Sequence, residues 1–378
     1  MISALGRIVR IDVSALEQDD RDALHRVWSG ASVSGPADDI VDGGVVEAPS
    51  GMRTAPMLAS ISQRVTRAAI GARRGEMWML HAGAVADEAG RVVVVVGPSG
   101  RGKTTAMRAL ARHYAYVTDE TVAIDGAGIV HPYRKPLSII EEIGAAKAQR
   151  APGELGLGEL PDAPLRVAAL VLLDRRTNGP DAAVLEPCDL GDALVDLAEQ
   201  SSHLAELPHA LQTIAEHAMA VGGVHRVTYR EADTLVDALS ALFRDPSAIA
   251  ITPRTVEVSL HSPDVDEGEG AGWFRTPHLD ALALRDPERI ALLLPGDHGG
   301  ALLRVLDGIG PVLWTNADGR STDEMVRIVI GAHGEPDADD ATAIVAASLS
   351  ELVDQGLLRH REEAGPDGVG TQFQQVIR

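Results

Sequence analysis

The sequence predicts an α/β protein: a P-loop core with a small N-terminal α/β portion, followed by a C-terminal winged-helix-like α+β domain. Three observations predict it. Five valines, Val92 to Val96, run into Gly97-Pro98-Ser99-Gly100-Arg101-Gly102-Lys103-Thr104-Thr105 and then a helix-forming stretch to His113. Apolar runs alternate with helical stretches up to about residue 245, as in a sheet flanked by helices. An acidic, Gly-rich run, Ser262 to Gly272, then precedes a segment built in another order, strands first and helices after.

Taken in order, Arg7 to Val13 reads as a strand, Leu16 to Trp28 as a helix, and Gly30 to Gly51 as loop with short strands. Leu58, Ile61, Val65 and Ala69 share one helical face, so Leu58 to Arg73 is a helix. Met77 to Val85 reads as one strand, joined through Asp87, Glu88 and Gly90 to the valine strand. Tyr114 to Thr118 is the next strand and ends in Asp119-Glu120. Thr121 to Ile124 and Gly128 to Val130 flank a turn at Asp125-Gly126, and Pro132 and Pro136 then forbid regular pairing. Val167 to Asp174 is a second apolar strand. Leu190 to Leu207 and Pro208 to Val221 read as helices, Val224 to Tyr229 as a strand, and Glu231 to Phe243 as a closing helix.

Past the acidic run, strands are expected near Phe274 to Leu284, Arg289 to Leu294 and Ala301 to Leu306. Helices follow over Ile309 to Thr315, Thr322 to His333 and Asp339 to Gln355; Ser321 with Glu324 forms a capping box for the second. These readings divide the chain into residues 1–57, packing on the core, 58–250, a linker over 251–272, and 273–378.

The loop has the spacing G-x-x-x-x-G-K-[ST]. Its glycines allow positive φ, so that successive N–H groups turn toward an anion, and the helix that follows adds its positive end. Residues 97–105 therefore bind a nucleoside triphosphate, with Lys103 on the β/γ-phosphates and Thr104 on Mg²⁺. The expected cofactors are ATP and Mg²⁺. The chain has three lysines, Lys103, Lys135 and Lys147, against 31 arginines. A lysine kept at this loop position points to a task that needs a compact point charge.

Composition narrows the class. The 378 residues exceed one ordinary core, and the net charge of −21 argues against a nucleic-acid or anionic-membrane partner. The single Cys188 excludes an intrachain disulfide and a cysteine-cluster metal site. No signal peptide is visible, and no stretch reaches the roughly 18 apolar residues of a membrane span. The expectation is a soluble cytoplasmic protein, with a homo-oligomer left open.

A P-loop does not define a reaction; a second acidic group must hold the metal or activate the acceptor. Asp119-Glu120 and Asp174 both stand at strand ends, and Asp174 has the apolar-strand-then-acid look of a Walker-B site. Spacing alone leaves both open, and a lone His81 reads as structural.

His81-Ala82-Gly83-Ala84-Val85, the loop 97–105, and Asp119-Glu120-Thr121-Val122-Ala123-Ile124, in that order, resemble the catalytic core of the HPr kinase/phosphorylase family. The likeness is closer to its shortened relatives in clusters that make peptide natural products. It spans about residues 58 to 245 and is sharp from His81 to Ser138. The resemblance implies that Asp119 accepts the proton of a substrate hydroxyl and that His81 lies beside it. It also implies that Glu120 holds Mg²⁺, although family members often carry aspartate there. Arg134 or Lys135 would add a second positive contact. The loop tied to the phosphorylase half-reaction is not found, so the implied activity is that of a serine/threonine kinase.

Phe274 to Ala281, Leu303 to Trp314, Ser321 to Val326 and Leu349 to Leu358 resemble the PqqD-like peptide chaperones, also called RiPP recognition elements. That resemblance implies a leader peptide added as a strand, held by Leu302, Leu303, Arg304 and Val305 with Ile344, Ala347 and Ser348. The partner would be a precursor peptide or small protein. A DNA-binding winged helix would need basic residues on its recognition helix, and Asp339 to Gln355 has none. A dimerisation wing, a nucleotide-binding switch that presents a peptide, and a transporter-type ATPase are the other readings. The last lacks a Leu-Ser-Gly-Gly-Gln signature.

Overall fold

A computed structural model describes residues 1–33, 42–98, 102–139, 147–244, 256–257, 270–285, 288–336 and 340–362. Most of the expected linker lies outside the described residues, as do Ser99, Gly100, Arg101 and Asp339. The chain forms two compact units, Met1–Arg254 with Pro295–Leu303, and Thr255–Leu294 with Arg304–Arg378.

The first unit opens with β1 (Ile2–Ala4), β2 (Arg7–Asp12), α1 (Gln18–Val27), β3 (Asp42–Glu47) and α2 (Thr54–Gly71). The helical stripe read from the sequence is the buried face of α2: Leu58, Ile61, Val65 and Ala69, with Met57. It packs with Val9, Trp28 and Tyr133 into one apolar cluster, so the N-terminal strands share a core with the residues that follow.

Met77 to Val85 is not one strand. The chain forms β4 (Trp78–Leu80) and β5 (Ala82–Ala86) in different sheets, broken at His81. The His81 N–H donates to the Gln200 carbonyl at 2.7 Å, and its carbonyl accepts from Lys103 at 2.8 Å, so both leave the ladder. Beyond β5 come β6 (Arg91–Val96), α3 (Lys103–Leu110), β7 (Ala115–Thr118), β8 (Val122–Ile124), β9 (Val130–His131), β10 (Leu137–Ile139) and β11 (Ala148–Arg150). The valine run of β6 is buried on both faces, which is why it reads as continuous rather than alternating.

The rest of this unit holds β12 (Arg166–Arg175), β13 (Val184–Cys188), α4 (Leu190–Glu199), β14 (Ser201–Ser202), α5 (Ala210–Ala220), β15 (Val224–Tyr229) and α6 (Leu235–Arg244). The expected helix over Leu190 to Leu207 stops at Glu199, because Ser201 and Ser202 turn out to pair with Leu80 and Met79. The central sheet runs β13-β15-β12-β6-β5-β7. β6, β12 and β15 are parallel neighbours, while β5 and β7 are antiparallel. Gly83 of β5 lies against the Met107 side chain of α3, where a Cβ would collide with it, so this glycine sets how closely the loop helix sits on the sheet.

The remaining elements are β16 (Val256–Glu257), β17 (Gly272–Arg275), β18 (Asp280–Leu284), β19 (Arg289–Pro295), β20 (Ala301–Leu306), α7 (Gly310–Thr315), β21 (Asp318–Arg320), α8 (Thr322–His333), α9 (Ala341–Asp354) and β22 (Leu358–Arg361), all in the second unit except Pro295 and Ala301 to Leu303, which the division assigns to the first. The strand expected over Phe274 to Leu284 divides, since Thr276-Pro277 interrupts pairing: β17 joins β21 and β22, and β18 joins β16, β19 and β20. The Ser321 capping box is formed, with the Ser321 N–H donating to Glu324 at 2.8 Å. Leu292, Leu313, Trp314, Met325, Val345 and Leu349 fill the core of this unit. No described helix is long and apolar enough to cross a membrane.

Candidate active site

β6 ends at Val96 and α3 begins at Lys103, so Gly97 to Gly102 join the strand to the helix. Gly102 stands at the N-cap of α3 with φ of 92°, a left-handed conformation that favours glycine. Lys103 is buried at 7% exposure, and its Nζ donates to the carbonyls of Gly97 at 3.1 Å and His81 at 2.8 Å. The P-loop lysine thus braces the start of the loop against the His81 bend. Of the predicted nucleotide-binding residues, Gly97, Pro98 and Gly102 to Thr105 can be placed here; Ser99, Gly100 and Arg101 lie outside the described residues.

Gly102, Lys103, Thr104 and Thr105 form one wall of a cavity of about 450 Å³. His81, Asp119 and Glu120 form another. Asp119, 6% exposed, accepts from the Tyr116 hydroxyl at Oδ1, 2.9 Å away. Its Oδ2 accepts from Thr104 Oγ1 at 3.4 Å. Burial, and then the Asp119 charge, push the Tyr116 hydroxyl well above its ordinary value, so it stays a donor. One carboxylate oxygen is therefore fixed from behind while the other faces the loop hydroxyl.

Lys135 lies across from these acids. Its Nζ stands 2.7 Å from Glu120 Oε2 and 3.7 Å from Asp119 Oδ1, and donates to the Pro136 carbonyl at 3.2 Å. Burial pulls its pKa down, but the two carboxylates outweigh that and raise it, so it is a cation. Arg134 does not line the cavity; it donates to the Gly158 carbonyl at 3.2 Å and pairs with Glu159 at 3.0 Å.

His81 is held below its ordinary value by burial first and by Lys103 second, against the upward pull of Glu120 and Asp119. It is neutral at pH 7 and offers one donor and one acceptor nitrogen. Burial likewise brings Lys103 down to about 8, against the pull of the same acids. Phosphate oxygens would restore its proton. Below pH 8 nucleotide binding should then exchange no proton at Lys103. Above it, binding should take one up, and affinity should fall by up to about tenfold per pH unit. Calorimetry in buffers of different ionisation enthalpy reads that uptake directly.

Mg²⁺ is usually held by one or two carboxylates plus substrate phosphates rather than by an all-protein cage. Among the described residues no cluster of three or more His, Cys, Asp or Glu side chains forms a ready-made metal site. Thr104 Oγ1, an oxygen donor beside the loop and 3.4 Å from Asp119 Oδ2, suits such a shared site with the phosphates. Glu120 is less available, since Lys135 engages one of its oxygens.

Asp174 is elsewhere. It pairs with Arg176 at 2.6 Å and lines a separate cavity of about 200 Å³ with Pro98 and Arg175. The Walker-B look of its strand comes from burial in the sheet interior. In the C-terminal segment Leu302, Leu303, Arg304 and Val305 lie on β20, the last strand in its sheet's order. Ile344, Ala347 and Ser348 lie on α9, beside its buried stripe of Val345, Leu349 and Leu352. Sequence reasoning missed Tyr116, Arg108 and Lys147, which touch or line the Asp119 site.

No family model matches the chain, and no curated protein matches it. Among solved structures, the Hpr(Ser) kinase/phosphatase from Coxiella burnetii is similar over 44% of this chain and 93% of its own, with 15% identity and a TM-score of 0.25.

Proposed function

We propose that this chain is an ATP-dependent phosphotransferase that moves the γ-phosphoryl group to a hydroxyl, that of a Ser or Thr in a precursor peptide or small protein. The observation that carries the reading is a single cavity shared by the loop residues Lys103 and Thr104 and the carboxylate of Asp119. Phosphoryl transfer asks the protein mainly for position and charge. Backbone N–H groups of the loop and Lys103 hold the triphosphate; Mg²⁺, when bound through Thr104 and the phosphates, neutralises developing charge. Asp119 Oδ2 orients the acceptor hydroxyl and takes its proton as the new O–P bond forms. The electron pair of the breaking P–O bond leaves on ADP. His81, neutral and beside both groups, hydrogen-bonds the acceptor or the transferring group.

We infer in addition that the C-terminal segment captures the peptide through β20. Leu302, 41% exposed on that strand, is an apolar side chain suited to such a ligand. A tethered capture site raises the acceptor's local concentration to the millimolar range, about as high as short linkers give. The test is mass spectrometry of candidate peptides, with and without their leaders, incubated with ATP and Mg²⁺. A gain of one phosphate that is faster with the leader attached is expected. Tight ATP binding with no phosphopeptide would instead favour a switch.

A further inference from the structure

All three lysines of the chain line the same cavity, which only twelve of the described residues do. In a chain that otherwise uses arginine, that placement is selective. Two of the three have partners already in view: Lys103 with the Gly97 and His81 carbonyls, Lys135 with Asp119 and Glu120. Lys147 has none among the described residues. It is exposed, sits immediately before β11, and shares the cavity wall with Ser138 of the paired strand β10. Arg108 also lines the cavity, one turn beyond Thr104 on α3, and likewise forms no ion pair with a described residue.

Four cations, Lys103, Arg108, Lys135 and Lys147, therefore face two carboxylates, Asp119 and Glu120, in a protein of net charge −21. Lys135 is matched by the acids it touches. Lys103 and the loop N–H groups meet the triphosphate. Arg108 and Lys147 remain. Because Asp119 faces this cavity, the acceptor hydroxyl must enter it too, and whatever flanks that hydroxyl comes within reach of these two cations.

We propose that Arg108 and Lys147 form an anion subsite for the acceptor, which carries a carboxylate or phosphate next to its hydroxyl. In a peptide this means Asp or Glu beside the Ser or Thr; a small hydroxy acid offers the same chemistry. The inference rests on the phosphotransferase reading for the acceptor's role. A planar guanidinium and a mobile ammonium together suit a carboxylate whose exact pose varies.

The test uses the full chain saturated with ADP and Mg²⁺, and reads binding rather than turnover. Fluorescence anisotropy follows a labelled peptide with serine between aspartates, and its counterpart with asparagines; free L-serine serves as competitor. The aspartate peptide should bind about tenfold tighter than the asparagine one. Lys147→Ala and Arg108→Ala should each remove most of that difference, Lys147→Arg should keep it, and ADP affinity should stay within about twofold. Competition by L-serine that vanishes in Lys147→Ala would identify a small hydroxy acid as the source and also supports the subsite. Equal binding of the two peptides with no Lys147-dependent competition by serine overturns the proposal. So does a loss confined to nucleotide affinity, since the cations would then serve the triphosphate. Phosphate transfer measured in parallel separates the two readings. Lys147-dependent binding without transfer sinks the phosphotransferase, and transfer indifferent to Lys147 sinks the subsite.

Discussion

Asp119→Asn should lower phosphate transfer by about a thousandfold while leaving ATP affinity within about threefold. The two oxygens of this one carboxylate do different things. Tyr116 donates to Oδ1 at 2.9 Å from a fully buried position, and asparagine can still accept that bond through its own carbonyl oxygen. The amide nitrogen must then take the place of Oδ2, beside Thr104 and open to the cavity. That nitrogen is a donor. It can neither take a proton from an attacking hydroxyl nor bind a metal oxygen-fashion. The shape and packing of the site survive, and the chemistry does not. Single-turnover transfer measured with ATP in excess, beside an equilibrium ATP titration, checks both halves. A variant that retains transfer within tenfold would show that the carboxylate is structural.

The sequence and the structure agree where one physical cause dominates. The valine strand, the loop and α3 are local: burial, glycine freedom and helix propensity act on consecutive residues. The stripe on α2 and the Ser321 cap of α8 are local in the same sense, and both are formed. The break at His81 was not legible, because it is made by partners far along the chain, Lys103 and Gln200. The end of α4 at Glu199 has the same kind of cause, a pairing with β4. Asp174 shows the opposite limit. An apolar strand ending in an acid is what any interior strand of such a sheet offers, so the pattern cannot tell a metal ligand from a partner of Arg176. Asp119 was singled out by resemblance alone, whereas Tyr116, which donates to it, looked like any aromatic in a strand. Lys147 carried a signal all along, the scarcity of its residue type, but scarcity gains meaning only once the three positions are seen to share a cavity.

The second large effect concerns Lys135, and it is one of stability. Its side chain is 4% exposed, against 4% for Asp119 and 34% for Glu120, so the cation neutralises one deeply buried acid and one partly solvated acid. A buried ion pair contributes little net stability when intact, because desolvation offsets attraction. Removing one partner is different, since the remaining charges keep their desolvation cost without compensation. Lys135→Met preserves the length and volume of the stem, so no cavity forms, and it deletes only the charge and the donors. It should cost about 3–5 kcal/mol, which for a body of this size lowers the melting temperature by roughly 10 °C. Glu120→Gln in the same chain removes the acid nearest Nζ, at 2.7 Å, and should recover a large part of that loss. Lys135→Arg should recover less than the wild type, because a planar fork cannot point at Glu120 Oε2 and the Pro136 carbonyl from one atom as Nζ does. Thermal and urea melts of the three variants at pH 7 decide the matter. An unchanged midpoint in Lys135→Met would mean that water already solvates these acids. The cavity would then be far wetter than its buried walls imply, and Asp119 would hold its position without help from the charge opposite.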